Sequence, residues 1–296
     1  MIRKLTIILT LVTLGLSAVP ASAFFENTVV SPRARGMGQA SVAVQDASYA
    51  SFQNPGHLGS ITEGEVAATY VQPFTLDFTD FYFAGAGIPL SEKWGNVGVG
   101  MSIFKVGYQD TSLLKETQLT VAHGFGLYNG FHSRIDFGYA LNFYNVDLGQ
   151  SLDGYDPGSA TVFSIDVGFS MLLHKRTHLG FQVKNLTNPQ IGEDNEDLGR
   201  RLIAGISYEP YDGVITTFEF DNELGEDVQY RGGVEMHVVE GFALRAGVLT
   251  NPNILTAGFG YASHGIGFDY GYSTGGGTLD GTHHFGLRYA WGGEAK

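Results

Sequence analysis

Eight charged residues stand out by position. Asp136, Asp166, Glu219, Arg231, Glu235, Arg245, Asp269 and Arg288 all lie in alternating runs, always on the side of small and polar residues. Carboxylates and guanidinium groups on one shared face can form a network of charge-assisted hydrogen bonds that fills and stiffens an interior. The same lining can also guide a solute. Catalysis asks for more, namely a nucleophile or metal with an acid–base partner beside it. The nearest approach is His237 two positions after Glu235, which a strand places on the same face. His283 and His284 are adjacent, so a strand sends them to opposite faces and they do not chelate one metal. The acidic stretches DGYDPG (153–158) and GEDNEDLG (192–199) lack the ligand spacing and distal Glu of a calcium loop. Gly258 and Gly260 precede no helix, so close backbone approach or strand curvature fits them better than a phosphate cradle. With no Cys in the chain, thiolate catalysis, thiolate metal sites and disulfides drop out. These residues point away from an enzyme, a metal or a cofactor.

The elements that must position these charges are strands. Fourteen are expected, near 63–72, 79–88, 95–106, 115–126, 132–146, 158–173, 176–186, 198–209, 213–221, 228–238, 241–249, 253–263, 264–274 and 281–291. In RIDFGYALNF, Ile135, Phe137, Tyr139, Leu141 and Phe143 oppose Asp136, Gly138, Ala140 and Asn142. In HHFGLRYAW, Phe285, Leu287, Tyr289 and Trp291 oppose His284, Gly286, Arg288 and Ala290. One face is apolar and edged by aromatic residues, while the other mixes glycine with full charges. Strands of roughly ten residues with aromatic ends suit a barrel with lipid outside and a polar lumen inside. Closure also satisfies every backbone hydrogen bond within the hydrocarbon. The fold class expected is therefore all-β: a transmembrane antiparallel barrel of about 14 strands. Its odd-numbered connections, such as 106–113, 147–158, 187–198, 222–227 and 274–281, are longer than even-numbered ones such as 174–175 and 239–241. Long outward loops and short inner turns are the asymmetry of outer-membrane barrels.

Composition and the N-terminus agree. Arg3 and Lys4, the apolar run Leu5 to Leu16, and Ala21-Ser22-Ala23 form the three regions of a secretory signal peptide, expected over 1–23. The 17 Lys and Arg less Arg3 and Lys4 leave 15 against 30 Asp and Glu, and that acidity argues against a nucleic-acid partner. The chain also holds 42 Gly, 21 Phe and 15 Tyr, a composition of exported β proteins.

The stretch ARGMGQASVAVQDASYASFQNPGHLG (34–59) resembles the N-terminal region of the PorV/PorQ group, a branch of the FadL-like outer-membrane proteins. Gly36, Met37, Gly38, Asp46, Asn54, Pro55 and Leu58 fall on that group's pattern, whereas Gly56 and His57 depart from its commoner Ala-Gly pair. VKNLTNP (183–189), RRLIAGISY (200–208), GGVEMHVVEGFALRAGV (232–248), LTAGFGY (255–261), FDYGYS (268–273) and THHFGLRYAW (282–291) follow in the order of the same group. The resemblance implies a small N-terminal hatch, expected over 24–62, inside a barrel over 63–296. It implies an outer-membrane location in a Gram-negative-type bacterium after signal-peptide cleavage, with outer-membrane lipid around the barrel. FadL-like relatives pass hydrophobic small molecules sideways through a gap in the wall. The PorV branch instead docks envelope or secreted proteins during type IX secretion. The Asn54-Pro55 turn reads as the hatch's anchor, with Phe52 and Leu58 packed on the wall and the turn's polar groups meeting lumen charges.

Overall fold

A period of two governs the architecture. The structure is a computed structural model that describes residues 24–25, 29–91, 93–109, 111–149, 157–192, 195–276 and 279–292. Residues 1–23, where a signal peptide is expected, lie outside this set, as do most of DGYDPG and two residues of GEDNEDLG. The strands are β1 (Gly64–Gln72), β2 (Thr79–Ser91), β3 (Gly95–Tyr108), β4 (Thr111–Asn129), β5 (Ser133–Asp147), β6 (Ser159–Leu173), β7 (Thr177–Lys184), β8 (Gln190–Ile191), β9 (Glu196–Asp197), β10 (Arg201–Tyr211), β11 (Val214–Glu223), β12 (Gln229–Val239), β13 (Phe242–Leu249), β14 (Ile254–Ser263), β15 (Ile266–Ser273) and β16 (Thr282–Trp291). All but β8 and β9 form one closed antiparallel barrel of 14 strands, in which each pairs with its neighbours along the chain and β16 closes on β1. Closure runs in register from Gly64 opposite Trp291 to Gln72 opposite His283. Register shifts fall only near strand ends, at Pro89/Ser91, Val106/Gly107, Gly126/Tyr128, Tyr208/Tyr211 and His237/Val239. The ladders run unbroken through mid-wall except between β6 and β7, where pairing stops at Val167 opposite Val183 and Ser159 to Asp166 of β6 continue toward the outer end without a β7 partner.

The outward faces settle which medium the wall suits. Along the 14 wall strands the outward positions carry only four Asp, Glu, Lys or Arg side chains: Asp80, Lys105, Lys115 and Asp147. All four cluster at the end opposite Gly64 and Trp291, hereafter the outer end. Exposed aromatics edge the apolar band: Trp94, Tyr128, Tyr211, Tyr261 and Trp291 toward the inner end, and Tyr70, Tyr82 and Tyr230 toward the outer. That is the profile of a wall facing hydrocarbon between two interfaces. No helix among the described residues is long and apolar enough to cross a bilayer, so crossing would fall to the strands.

Two connections differ from expectation. The loop expected at 106–113 is mostly strand, because β3 and β4 stay paired up to Tyr108 opposite Thr111. Above the apolar band, outward Lys105, Lys115 and Asp147 pair across three strands, so the sheet extends into the aqueous zone with its backbone bonds kept. The connection after β7 is not plain loop either. It holds the ribbon β8–β9, which turns Ile191 and Leu198 inward against Tyr144 and Val146.

Residues 29–62 lie within the barrel. Their helical pieces are α1 (Pro32–Gly36), a 3-10 turn (Ala47–Tyr49), α2 (Ala50–Gln53) and a second 3-10 stretch (Pro55–Ser60). Tyr49 and Phe52 pack on Phe81 and Phe83 of β2, while Leu58 packs on Ala122 and Ala140.

Candidate functional site: the hatch and the vestibule above it

Local sequence shapes the hatch. Pro32 presets the first turn of α1, and the Ser31 side chain caps it by accepting from the Ala34 N–H at 3.3 Å. The helix ends at Gly36-Met37, and Gly38 then takes φ +66°, a left-handed value that glycine adopts without strain. This turn brings the Gly38 N–H onto Thr256 Oγ1 of β14 at 2.8 Å, while the same hydroxyl donates to the Gly36 carbonyl at 3.1 Å. A β-carbon at Gly233 would strike the Met37 backbone, one at Gly247 the Gly38 backbone, and one at Gly258 Gly36 Cα. Gly138 and Gly168 make the same room for Pro55 and Asn54, and Gly98 and Gly124 for Leu58. The lumenal glycines are therefore seats for the hatch backbone.

Asn54 joins three parts. Its amide donates to the Val42 carbonyl at 2.8 Å and to the Phe169 carbonyl of β6 at 3.0 Å, and its side-chain oxygen accepts from the Gly56 N–H at 3.0 Å. Asn54 itself satisfies backbone carbonyls, because it lies over Gly168 of β6. The lumen charges expected around the turn meet the carbonyls on either side of it: Lys184 Nζ donates to Phe52 at 3.2 Å, and the Arg134 guanidinium to Gly59.

Charge clamps the remainder. Arg33 forks onto Glu235, with Nε at 2.8 Å and Nη2 at 2.6 Å from the two carboxylate oxygens. Arg245 Nε donates to Glu235 at 2.6 Å and its Nη1 to Asp269 at 2.7 Å. Arg288 Nε lies 3.1 Å from Asp269 as an ion pair without hydrogen-bond geometry, and its Nη1 lies 3.5 Å from Glu65. Glu65 in turn accepts from the Ser48 N–H at 3.2 Å and hydroxyl at 2.6 Å. This chain starts and ends on the hatch. In a second chain, Glu219 accepts the Ser41 and Val42 N–H groups, both at 2.7 Å, and is held by Arg231 at 3.0 Å. Arg231 continues to Asp221, which Arg201 also grips. Buried charges persist only when paired and hydrogen-bonded in this way.

The eight charges singled out from sequence thus occupy different stations. Glu235 and Glu219 touch the hatch. Arg231, Arg245, Asp269 and Arg288 support them, and Arg231 also donates to the Gln39 carbonyl of the hatch at 3.5 Å while Arg245 lies beside Gly36. Asp136 acts through Arg134, whose guanidinium also donates to the Gly59 carbonyl. Asp166 stands apart and accepts the Asn185 N–H at 2.8 Å where β7 ends. In the hatch pattern, Gly36, Met37, Gly38, Asn54, Pro55 and Leu58 all contact the wall, while Asp46 accepts the Ser31 hydroxyl at 3.1 Å and closes the hatch on itself. His237 lies 3.4 Å from Glu235 and is half exposed, but Glu235 is already committed to two arginines. Sequence reasoning passed over Arg33, Glu65, Arg134, Arg201 and Asp221. For the four on strands, the inward parity was a usable signal.

No family model matches the chain, and no curated protein does. Solved structures do. The toluene transporter TodX of Pseudomonas putida aligns with TM-score 0.61 at 11% identity, over 90% of this chain and 99% of that one. The fold is shared. A FadL homologue of Pseudomonas aeruginosa aligns with TM-score 0.56 at 10% identity, over 88% of this chain and 98% of that one. Such identities speak for the fold of a FadL-type outer-membrane barrel and for nothing finer.

Above the hatch, toward the outer end, lies a cavity of about 890 Å³. Its floor includes Val29, Arg35 and Gln39 of the hatch; its sides include Val71, Phe81, Phe104, Arg231 and His284; and Phe74, Glu226, Asp227, Pro252 and Leu279 come from the outer connections. Beside it, Phe24 and Phe25 pack on Tyr144 and Leu198, with the Phe25 N–H donating to Glu116 at 3.0 Å.

Proposed function

We propose that this is a non-enzymatic outer-membrane barrel with residues 24–62 as a hatch, and that its outer vestibule takes up small molecules with an apolar body. The observation that carries the reading is the cavity of about 890 Å³ directly above the hatch, a volume in the range of small-molecule sites. The apolar outer wall supports placement in an outer membrane, and fractionation of the expressed protein tests it. Two routes leave the vestibule: through the lumen by displacing the hatch, or sideways beside the outer half of β6, where Ser159 to Asp166 have no β7 partner.

The test loosens the hatch at Asn54. Asn54→Ala removes three hydrogen bonds and takes the side-chain donor from the buried Val42 carbonyl, a cost of about 1–3 kcal/mol for the unsatisfied group, while the Phe169 carbonyl stays in the β6 ladder. In planar bilayers the wild type is expected to conduct little and Asn54→Ala several-fold more, with both keeping the heat-dependent gel shift of a folded barrel. Equal conductance from the two folded proteins would remove the gating role. A second reading, protein docking of the PorV/PorQ type, is supported by the hatch pattern from Gly36 to Leu58 and by the heavy clamping of the hatch. It predicts envelope proteins crosslinked to the barrel in cells, and recovery of the barrel alone counts against it.

A further inference from the structure

The outward side of the wall carries two cations, and they stand side by side. Lys105 of β3 and Lys115 of β4 lie directly opposite each other in the ladder. No other outward position of the 14 wall strands holds Lys or Arg. Like charges placed directly opposite destabilise a sheet. The register offers each lysine a carboxylate, with Asp80 opposite Lys105 and Asp147 opposite Lys115. Neither pair closes: among the described residues neither lysine forms an ion pair. Asp80 instead accepts the Tyr70 hydroxyl at 2.9 Å, and Asp147 accepts the Gly149 N–H at 3.0 Å. Lys105 leans over the Tyr82 ring, 5.8 Å from its centre, a weak hold for an exposed ammonium. In a chain of net charge -13, the only two outward cations thus share one patch and lack a counter-anion.

The surface beside them sets their level in the bilayer. Four residues toward the inner end, on the same strands and face, Met101 and Leu119 lie opposite each other, and Phe143 lies opposite Leu119. All three are exposed. At about 3.3 Å per residue, the lysine Cα atoms stand about 13 Å along the strands from this apolar row. Tyr70 and Tyr82, both exposed, mark the outer interface next to them. Lysine stems lie along apolar surface while their heads reach the head-group level. The two ammonium groups therefore sit where lipid head groups meet the wall, above a surface that suits acyl chains. A phosphate monoester carries a charge of about -1.5 to -2 near neutral pH, which matches two ammonium groups better than the single charge of a diester.

Resting on the lipid-facing wall of the reading above, we propose that Lys105 and Lys115 form a docking site for a lipid whose head group carries a phosphate monoester. Its acyl chains lie along Met101, Leu119 and Phe143. The site holds this lipid at one position around the barrel, on the β3–β4 hairpin that stays paired beyond the apolar band.

The test uses the full folded protein in detergent and counts retained lipids by native mass spectrometry. The probes are phosphatidic acid, a monoester, and phosphatidylglycerol, a diester, with the same acyl chains. One ammonium beside a lipid head group is worth about fivefold in binding. The wild type is expected to retain phosphatidic acid about fivefold over phosphatidylglycerol. Lys105→Gln and Lys115→Gln should each lower phosphatidic acid retention about fivefold, and the double variant should hold the two lipids alike. Both lysines are exposed, so every variant should keep its gel shift. Lys175→Gln, in the turn after β6 at the inner end, should behave as wild type. An excess of inorganic phosphate should leave the lipid in place; its displacement would make the pair a free-phosphate site and overturn the docking. Equal retention of both lipids by the wild type, or an unchanged preference in the double variant, would overturn it and leave the wall in lipid. A wild type that retains neither lipid and shows no gel shift would bring down the lipid-facing wall as well.

Discussion

At the residue scale, two buried groups of the hatch titrate in opposite senses. Burial first, and then the charge of Glu65, push the Asp46 carboxyl from its ordinary 3.8 up to about 7. A raised acid favours docking when protonated, so this contribution is full below about pH 4 and lost as pH rises to about 7. Burial first, and then His178, hold the His57 imidazole down to about 3. A depressed base favours docking when neutral, so this contribution is present above about pH 6.5 and lost as pH falls toward 3. Between pH 4 and 6.5 the two slopes oppose each other. Hydrogen exchange over residues 29–62, corrected for intrinsic pH dependence, separates them. Asp46→Asn should leave the His57 slope, with protection falling on acidification; His57→Gln should leave the Asp46 slope, with protection falling as pH rises. Each slope is limited to about tenfold per pH unit, the ceiling for one proton. Identical profiles for both variants and wild type would show that neither group senses docking.

At the scale of elements, the strands were legible and the hatch contacts were not. Alternation of two placed all 14 wall strands within a few residues, because outward positions must be apolar in lipid and inward ones need not be. The same parity pointed Glu235, Arg245 and Arg288 inward. Their partners were hidden for a plain reason: Arg33 and Glu235 are separated by 202 residues, and no periodicity spans that distance. The glycines show the same limit. Alternation marks Gly233 as inward, yet only the structure shows Met37 lying on it. That contact predicts a sharp difference between neighbours. Gly233→Ala puts a β-carbon into the Met37 backbone, an overpacking worth about 1–3 kcal/mol. Gly232, one residue earlier, has no atom nearer than 3.7 Å to an added β-carbon. Exchange over residues 34–40 should accelerate about tenfold or more in Gly233→Ala and stay near wild type in Gly232→Ala. Equal behaviour of the two would mean that the hatch does not sit on this wall.

At the scale of the whole molecule, the claim is that one band of the outer wall meets hydrocarbon. Val121 of β4 lies on that face, 44% exposed, between Leu119 and His123. Six residues outward along the same face, Lys115 already carries a charge, as does its partner Lys105. Toward the inner end the face reaches Tyr128, an interfacial type. Val121 therefore sits near the middle of the band, and Tyr108, 58% exposed beyond Lys105, lies outside it. Moving a charge into the centre of a bilayer on a barrel wall costs about 2–4 kcal/mol, and close to nothing at the edge. Val121→Arg should lower folding stability in phospholipid vesicles by about that amount, while Tyr108→Arg changes it by about 1 kcal/mol or less. Reversible denaturant titration in vesicles measures both. The inward neighbour Thr120 is fully buried and accepts from Gln118 while donating to Asn142, so its substitution reports packing at the same depth. If Val121→Arg and Tyr108→Arg cost the same, the band does not face lipid, and the wall's apolar face must be covered by something else.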